Sequence, residues 1–169
     1  TATAGQSKFY GEIDPVLNFT TSEEGVILSG ALSRVRGERV GANYAITQGT
    51  LNNPNYNITF ISANFEIKKA SLMIIANDAT KIYGDIDPEF SWTANKQINL
   101  SEITTGGLVR VAGENAGEYD IVASEIFTSP NYEIQFEKGT FAITPKTAFI
   151  TLTNQTKVYG NADPKFNFK

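Results

Sequence analysis

An all-β chain of small tandem domains set end to end is the fold class this sequence predicts, on three observations. Apolar residues alternate with polar ones in short runs instead of recurring at helical spacing. A long pattern also repeats: KFYGEIDP begins at Lys8, KIYGDIDP at Lys81 and KVYGNADP at Lys157, at spacings of 73 and 76 residues. Finally, all seven tyrosines occupy three positions of that pattern: Tyr10, Tyr83 and Tyr159; Tyr44 and Tyr119; Tyr56 and Tyr132. An aromatic that recurs once per unit reads as a core anchor of that unit. The marks divide the chain into a first repeat over 1–68 with a truncated first strand, a second over 69–145, and the start of a third, truncated repeat over 146–169. Such a chain reads as a piece of a longer array.

In chain order, the first repeat predicts strands near 16–20, 31–35, 43–47, 56–60 and 64–67. The second predicts strands near 72–77, 90–94, 108–112, 118–123, 132–136 and 140–144. Tyr132, Ile134 and Phe136 share one face, and Phe141 and Ile143 follow a turn at Lys138-Gly139, so this pair reads as a hairpin. Each repeat is expected to open on a strand, as the apolar runs 72–76 and 149–152 show. The helix candidates are single turns near 22–25 and 98–103, where Ser22 or Asn99 would cap. Gly37 to Gly41 and Gly113 to Gly117 are polar, so they read as turns and not as helix contacts. Short links are expected at Lys68-Lys69 and Pro145-Lys146.

Of 169 residues, 41% are hydrophobic and 19% charged, with a net charge of -4, which is an ordinary globular balance. There is no His and no Cys. Their absence removes Ser-His-Asp and Cys-His nucleophiles, imidazole or thiolate metal sites and disulfides. The 14 basic residues are scattered, so no concentrated positive face for nucleic acid is expected. No apolar run is long enough for a membrane-spanning helix.

The motif K-x-Y-G-x-x-D-P combines a residue forced to extended geometry before Pro, a Gly that permits a turn, and an Asp that accepts hydrogen bonds. Its candidate residues are Tyr10, Gly11, Asp14 and Pro15; Tyr83, Gly84, Asp87 and Pro88; and Tyr159, Gly160, Asp163 and Pro164. One reading packs Tyr10 and Tyr83 in the core while Asp14 and Asp87 hold the loop. A second gives Asp85 and Asp87 to calcium, but position 85 is Glu12 in the first copy and Asn161 in the third, and calcium loops carry more carboxylates. A carboxylate glycosidase needs neither His nor Cys, yet repeated Asp residues are better explained by repeated loops. Arg34, Arg36, Arg39 and Arg110 read as solvated strand and turn residues. Trp92, the only Trp, stands beside a three-residue insertion at 95–100 and is the one ligand-binding candidate, against a half-buried strand role. The expectation is a noncatalytic chain with no cofactor unless calcium binds.

KIYGDIDPEF, LVRVAGENAGEYDI and SPNYEIQFEKGTFAIT, in fixed order and matched in the first copy, resemble MBG repeats of the YGX type. Departures are small: Ala42-Asn43 adds one residue between Gly41 and Tyr44, and Ala162 replaces Ile. The resemblance implies a small β-rich, β-grasp-like fold repeated in large secreted adhesins of the bacterial cell surface, Bacteroidetes-like and including gliding-motility adhesins. It implies an extended stalk or weak multivalent attachment, with neighbouring repeats as partners. Its alternative is a module that binds mucin or surface polysaccharide glycans. The tail after Pro145 carries a strand whose equivalent the first repeat lacks, so head-to-tail strand pairing between copies is also expected.

Overall fold

The computed structural model describes residues 1–104 and 106–166. Its strands are β1 (Gln6–Phe9), β2 (Ser33–Arg34), β3 (Asn43–Thr47), β4 (Asn64–Lys68), β5 (Ala70–Ala76), β6 (Ala79–Ile82), β7 (Trp92–Ala94), β8 (Leu108–Arg110), β9 (Gly117–Ala123), β10 (Tyr132–Glu137) and β11 (Gly139–Thr144). No α-helix occurs among the described residues; one 3-10 turn spans Leu100–Glu102, its cap Asn99 accepting a hydrogen bond from the Ser101 amide as the sequence predicts. The expected turn of helix near 22–25 is bends and turns only.

Alternation explains the strands. Tyr44 and Ile46 of β3, and Phe65 and Ile67 of β4, point to one side and are buried, while the residues between them are exposed. The first repeat's sheet runs β1-β4-β3-β2, with β1 parallel to β4 and the other pairs antiparallel. The second repeat builds the same sheet as β6-β11-β9-β8, with β6 parallel to β11. The cores match as well: Ala2, Tyr44, Ile46, Phe65 and Ile67 in the first repeat, and Ala76, Ile121, Phe141 and Ile143 beside Tyr119 in the second.

The second repeat has a further layer. Strand β5 lies between β10, to which it is parallel, and β7, to which it is antiparallel. Its Leu72 and Ile74, both wholly buried, form a second core with Ile103 and Phe127, covered by Trp92, Ile134 and Phe136. The expected hairpin of 132–136 with 140–144 is therefore not formed: β10 pairs with β5, and β11 with β6 and β9. The chain changes sheet at Gly139, where a Cβ would stand 2.7 Å from the Ala76 carbonyl oxygen, so only glycine passes there. In the first repeat, residues 56–60 have no paired strand and, against expectation, form none; 16–20 is reduced to a single bridge from Phe19 to Ala2.

Candidate functional site: the motif loop and the junction between repeats

The KxYGxxDP motif opens on β1 and β6, not in a loop, and its Lys points inward. Lys8 and Lys81 are the only buried charged residues among those described. Each is neutralised by a ring of charge that two distant segments close. Lys8 Nζ lies 2.7 Å from Asp14 and 2.7 Å from Glu38, and it also donates to the Glu12 carbonyl at 2.9 Å. Arg34 reaches the same two carboxylates: Nε to Asp14 Oδ2 at 2.6 Å, Nη2 to Asp14 Oδ1 at 2.8 Å and Nη2 to Glu38 Oε1 at 2.6 Å. This is fork geometry, which ammonium cannot supply. Beneath it, the guanidinium carbon sits 5.2 Å from the Tyr44 ring centre and 5.1 Å from that of Phe65.

The second repeat reproduces the ring. Lys81 is 2.7 Å from Asp87 and 2.6 Å from Glu114. Arg110 pairs with Asp87 at 2.6 Å and with Glu114, and lies over Phe141 at 5.1 Å and Tyr119 at 5.6 Å. In the third copy Lys157 pairs with Asp163 at 2.5 Å. Arg34 and Arg110 are thus not solvated, as their sequence context suggested: their side chains are 6% and 9% exposed. The recurrence of Arg and Glu in RVRGE and RVAGE was the signal that could have joined them to the motif. Gly37 and Gly113 give these segments their close approach, since a Cβ would stand 2.3 Å and 2.1 Å from the rings of Tyr44 and Tyr119.

The electrostatics follow from the contacts. The Arg34 guanidinium, with Lys8, holds the Asp14 carboxyl at about 2, although burial works the other way. Glu38 is lowered by Lys8 and Arg34, Asp87 by Arg110 and Lys81, and Glu114 by Lys81 and Arg110. Burial opposes the Lys8 charge, but the hydrogen bonds Lys8 donates to Asp14 and Glu38 outweigh it and raise its pKa; Asp87 and Glu114, as acceptors, raise that of Lys81. Four carboxylates held in the charged form are the reverse of a general acid, which needs a raised pKa. Asp87, one half of the calcium candidate, binds Lys81 and Arg110, and no group of three or more potential metal ligands occurs among the described residues.

Of the motif tyrosines, Tyr10 packs against the edge of its own repeat's core. Tyr44 and Tyr119 lie deeper in the two cores, and their hydroxyls bond Arg39 and the Asn115 carbonyl. Tyr10 also reaches the next repeat: its ring meets Tyr132 edge-on at 5.5 Å and its hydroxyl donates to Glu102 at 3.1 Å. Asn131 holds the other Glu102 oxygen at 3.3 Å, and Lys69, in the link, donates to the Ser129 carbonyl at 3.0 Å. Burial, then Glu102, raises the Tyr10 pKa; burial and Glu102 raise that of Tyr132. Tyr83 and Tyr159, the next copies, are 49% and 101% exposed. Trp92 is half-buried in β7, its ring edge-on to Phe127 at 5.6 Å.

The MBG domain (YGX type) family profile matches residues 1–66 and again 72–142. No curated protein and no solved structure matches the chain.

Proposed function

We propose that this chain, which belongs to the MBG domain family (YGX type) and repeats that domain in tandem, serves as a noncatalytic stalk in an adhesin of the bacterial cell surface. The observation that carries the reading is the junction: the motif tyrosine of one repeat is donated to the next, packing on Tyr132 and bonding Glu102. A residue repeated in every copy and used, as Tyr10, between the two complete repeats suits a protein whose task is to hold successive domains in a set orientation. Asp14 and Asp87 support a structural role too, since each is engaged by a Lys and an Arg. In this role the partners are neighbouring repeats, the setting is extracellular, and adhesion or gliding is served by reach. Calcium is not needed for it.

Small-angle scattering tests the proposal. Two repeats in series, about 40 Å apart, give a radius of gyration near about 23 Å, whereas one compact globule of this length gives about 15 Å. The expected value is close to the upper figure. Substituting Tyr132→Ala should broaden the distance distribution while leaving each repeat folded; a value near the lower figure, or a variant indistinguishable from the parent, overturns the stalk reading. Saturable binding of the chain to mucins or polysaccharides would instead favour the glycan-attachment alternative.

A further inference from the structure

Five of the seven tyrosines occupy the two positions that meet at the junction: Tyr10, Tyr83 and Tyr159 at one, Tyr56 and Tyr132 at the other. The chain has 11 Phe, yet none stands at either position. An edge-on ring contact such as that of Tyr10 with Tyr132 is made equally well by Phe. What Phe lacks is the phenolic hydroxyl. Tyr10 uses its hydroxyl to hold Glu102, whereas the Tyr132 hydroxyl makes no hydrogen bond among the described residues. Contact alone therefore does not account for a second tyrosine here.

We infer that Tyr10 and Tyr132 form a site of oxidative coupling, at which a one-electron oxidant joins the two rings and ties one repeat covalently to the next. Their ring centres are 5.5 Å apart with planes at 88°, so the edge of one ring already faces the other. Rotation about the Cβ–Cγ bonds brings two ortho carbons together without movement of the backbone. Glu102 supplies the path for the proton. A phenol sheds its proton as it loses an electron, and the Glu102 carboxylate stands 3.1 Å from the Tyr10 hydroxyl, held in place by Asn131. Lys96 lies over the Tyr132 ring at 5.9 Å and opposes positive charge there, so Tyr10 is oxidised first.

Each ring gives up one electron and its phenolic proton, Tyr10 to Glu102 and Tyr132 to water, and the two phenoxyl radicals form a carbon–carbon bond between ortho positions. The hydrogen on each joined carbon then leaves as a proton and both hydroxyls are restored. The net loss is two electrons and two protons. Hydrogen peroxide acting through a haem peroxidase takes up both pairs and is reduced to two molecules of water. A chain without Cys has no disulfide to brace its domain boundary, and this bond crosses that boundary. The chemistry is the same whether the repeats act as stalk or as attachment module.

Oxidation of the full chain at low concentration tests the inference, with a haem peroxidase and hydrogen peroxide in one arm and light-driven tris(bipyridyl)ruthenium with persulfate in the other. The monomer is expected to lose the mass of two hydrogen atoms, to gain dityrosine fluorescence, and to yield on digestion a linked peptide pair containing Tyr10 and Tyr132. Tyr83 and Tyr159, 49% and 101% exposed, should couple between molecules instead, in proportion to protein concentration. Tyr132→Phe keeps the ring contact and should abolish the internal link while sparing the intermolecular ones. Glu102→Gln keeps an oxygen for the Tyr10 hydroxyl but accepts its proton poorly, so it should slow internal coupling several-fold and leave intermolecular coupling unchanged. The proposal is overturned if both arms consume the exposed tyrosines while the monomer keeps its full mass. It is equally overturned if the internal link survives Tyr132→Phe, or if Glu102→Gln couples at the parental rate.

Discussion

Asp14 shows what one side chain contributes. Arg34 and Lys8 bring its carboxyl from the usual 3.8 to about 2 in the folded protein. A lowered folded-state pKa stabilises above the unfolded value and ceases to do so as pH falls through the folded one. Glu38, Asp87 and Glu114 are shifted the same way, so their effects sum on the acid side. Lys8 and Lys81, raised above 10.5, stabilise at every pH below that and lose their effect only in strong alkali. The denaturation midpoint should therefore be level across neutral pH and fall between about pH 4 and pH 2. Asp14→Asn should cost about 1 kcal/mol at pH 7, allowing for solvent screening of a carboxylate 41% exposed, and should flatten the acid limb. An acid limb unchanged by the substitution would mean that the ring adds nothing to stability.

Strands β10 and 56–60 are a natural comparison at the scale of the element, because the same alternating pattern stands in both and only one is paired. Hydrogen exchange should show slow amides in β10, which pairs with β5, and fast ones at 57–60; equal protection in both would contradict that difference in pairing. Alternation made β3, β4, β9 and β11 legible, because every second residue is apolar and lies against the core. It concealed β1 and β6, since the residue each turns inward is a lysine, Lys8 or Lys81, and the charge that makes it tolerable lies some thirty residues on, in Glu38 and Glu114. The turn at Lys138-Gly139 was legible as a turn but not as a change of sheet, which depends on β5 and lies more than sixty residues back in the chain. Asp14 and Asp87 engage Lys and Arg side chains where the sequence pointed only to a loop, and Tyr10 packs on its own core and on the next repeat at once. A repeated core residue and a repeated contact residue leave the same trace in a sequence.

In the molecule as a whole, two repeats of one design carry unequal cores. The second has Leu72 and Ile74 wholly buried in a cluster for which the first has only an open groove. Calorimetry should resolve two transitions, the first repeat melting below the second, and Leu72→Ala should lower the upper one by the equivalent of about 3 kcal/mol while sparing the lower. A single sharp transition would mean that the junction couples the repeats more tightly than their cores differ. The parallel pairing of β1 with β4, and of β6 with β11, has one more consequence. In each repeat an early strand and the last strand lie side by side and run the same way. Tension applied through the two chain ends slides such neighbours along each other, loading their hydrogen bonds together in shear, instead of peeling them apart one by one. A string of these domains would yield slowly under a pull, because its resistance is set by the rate of rupture and not by equilibrium stability.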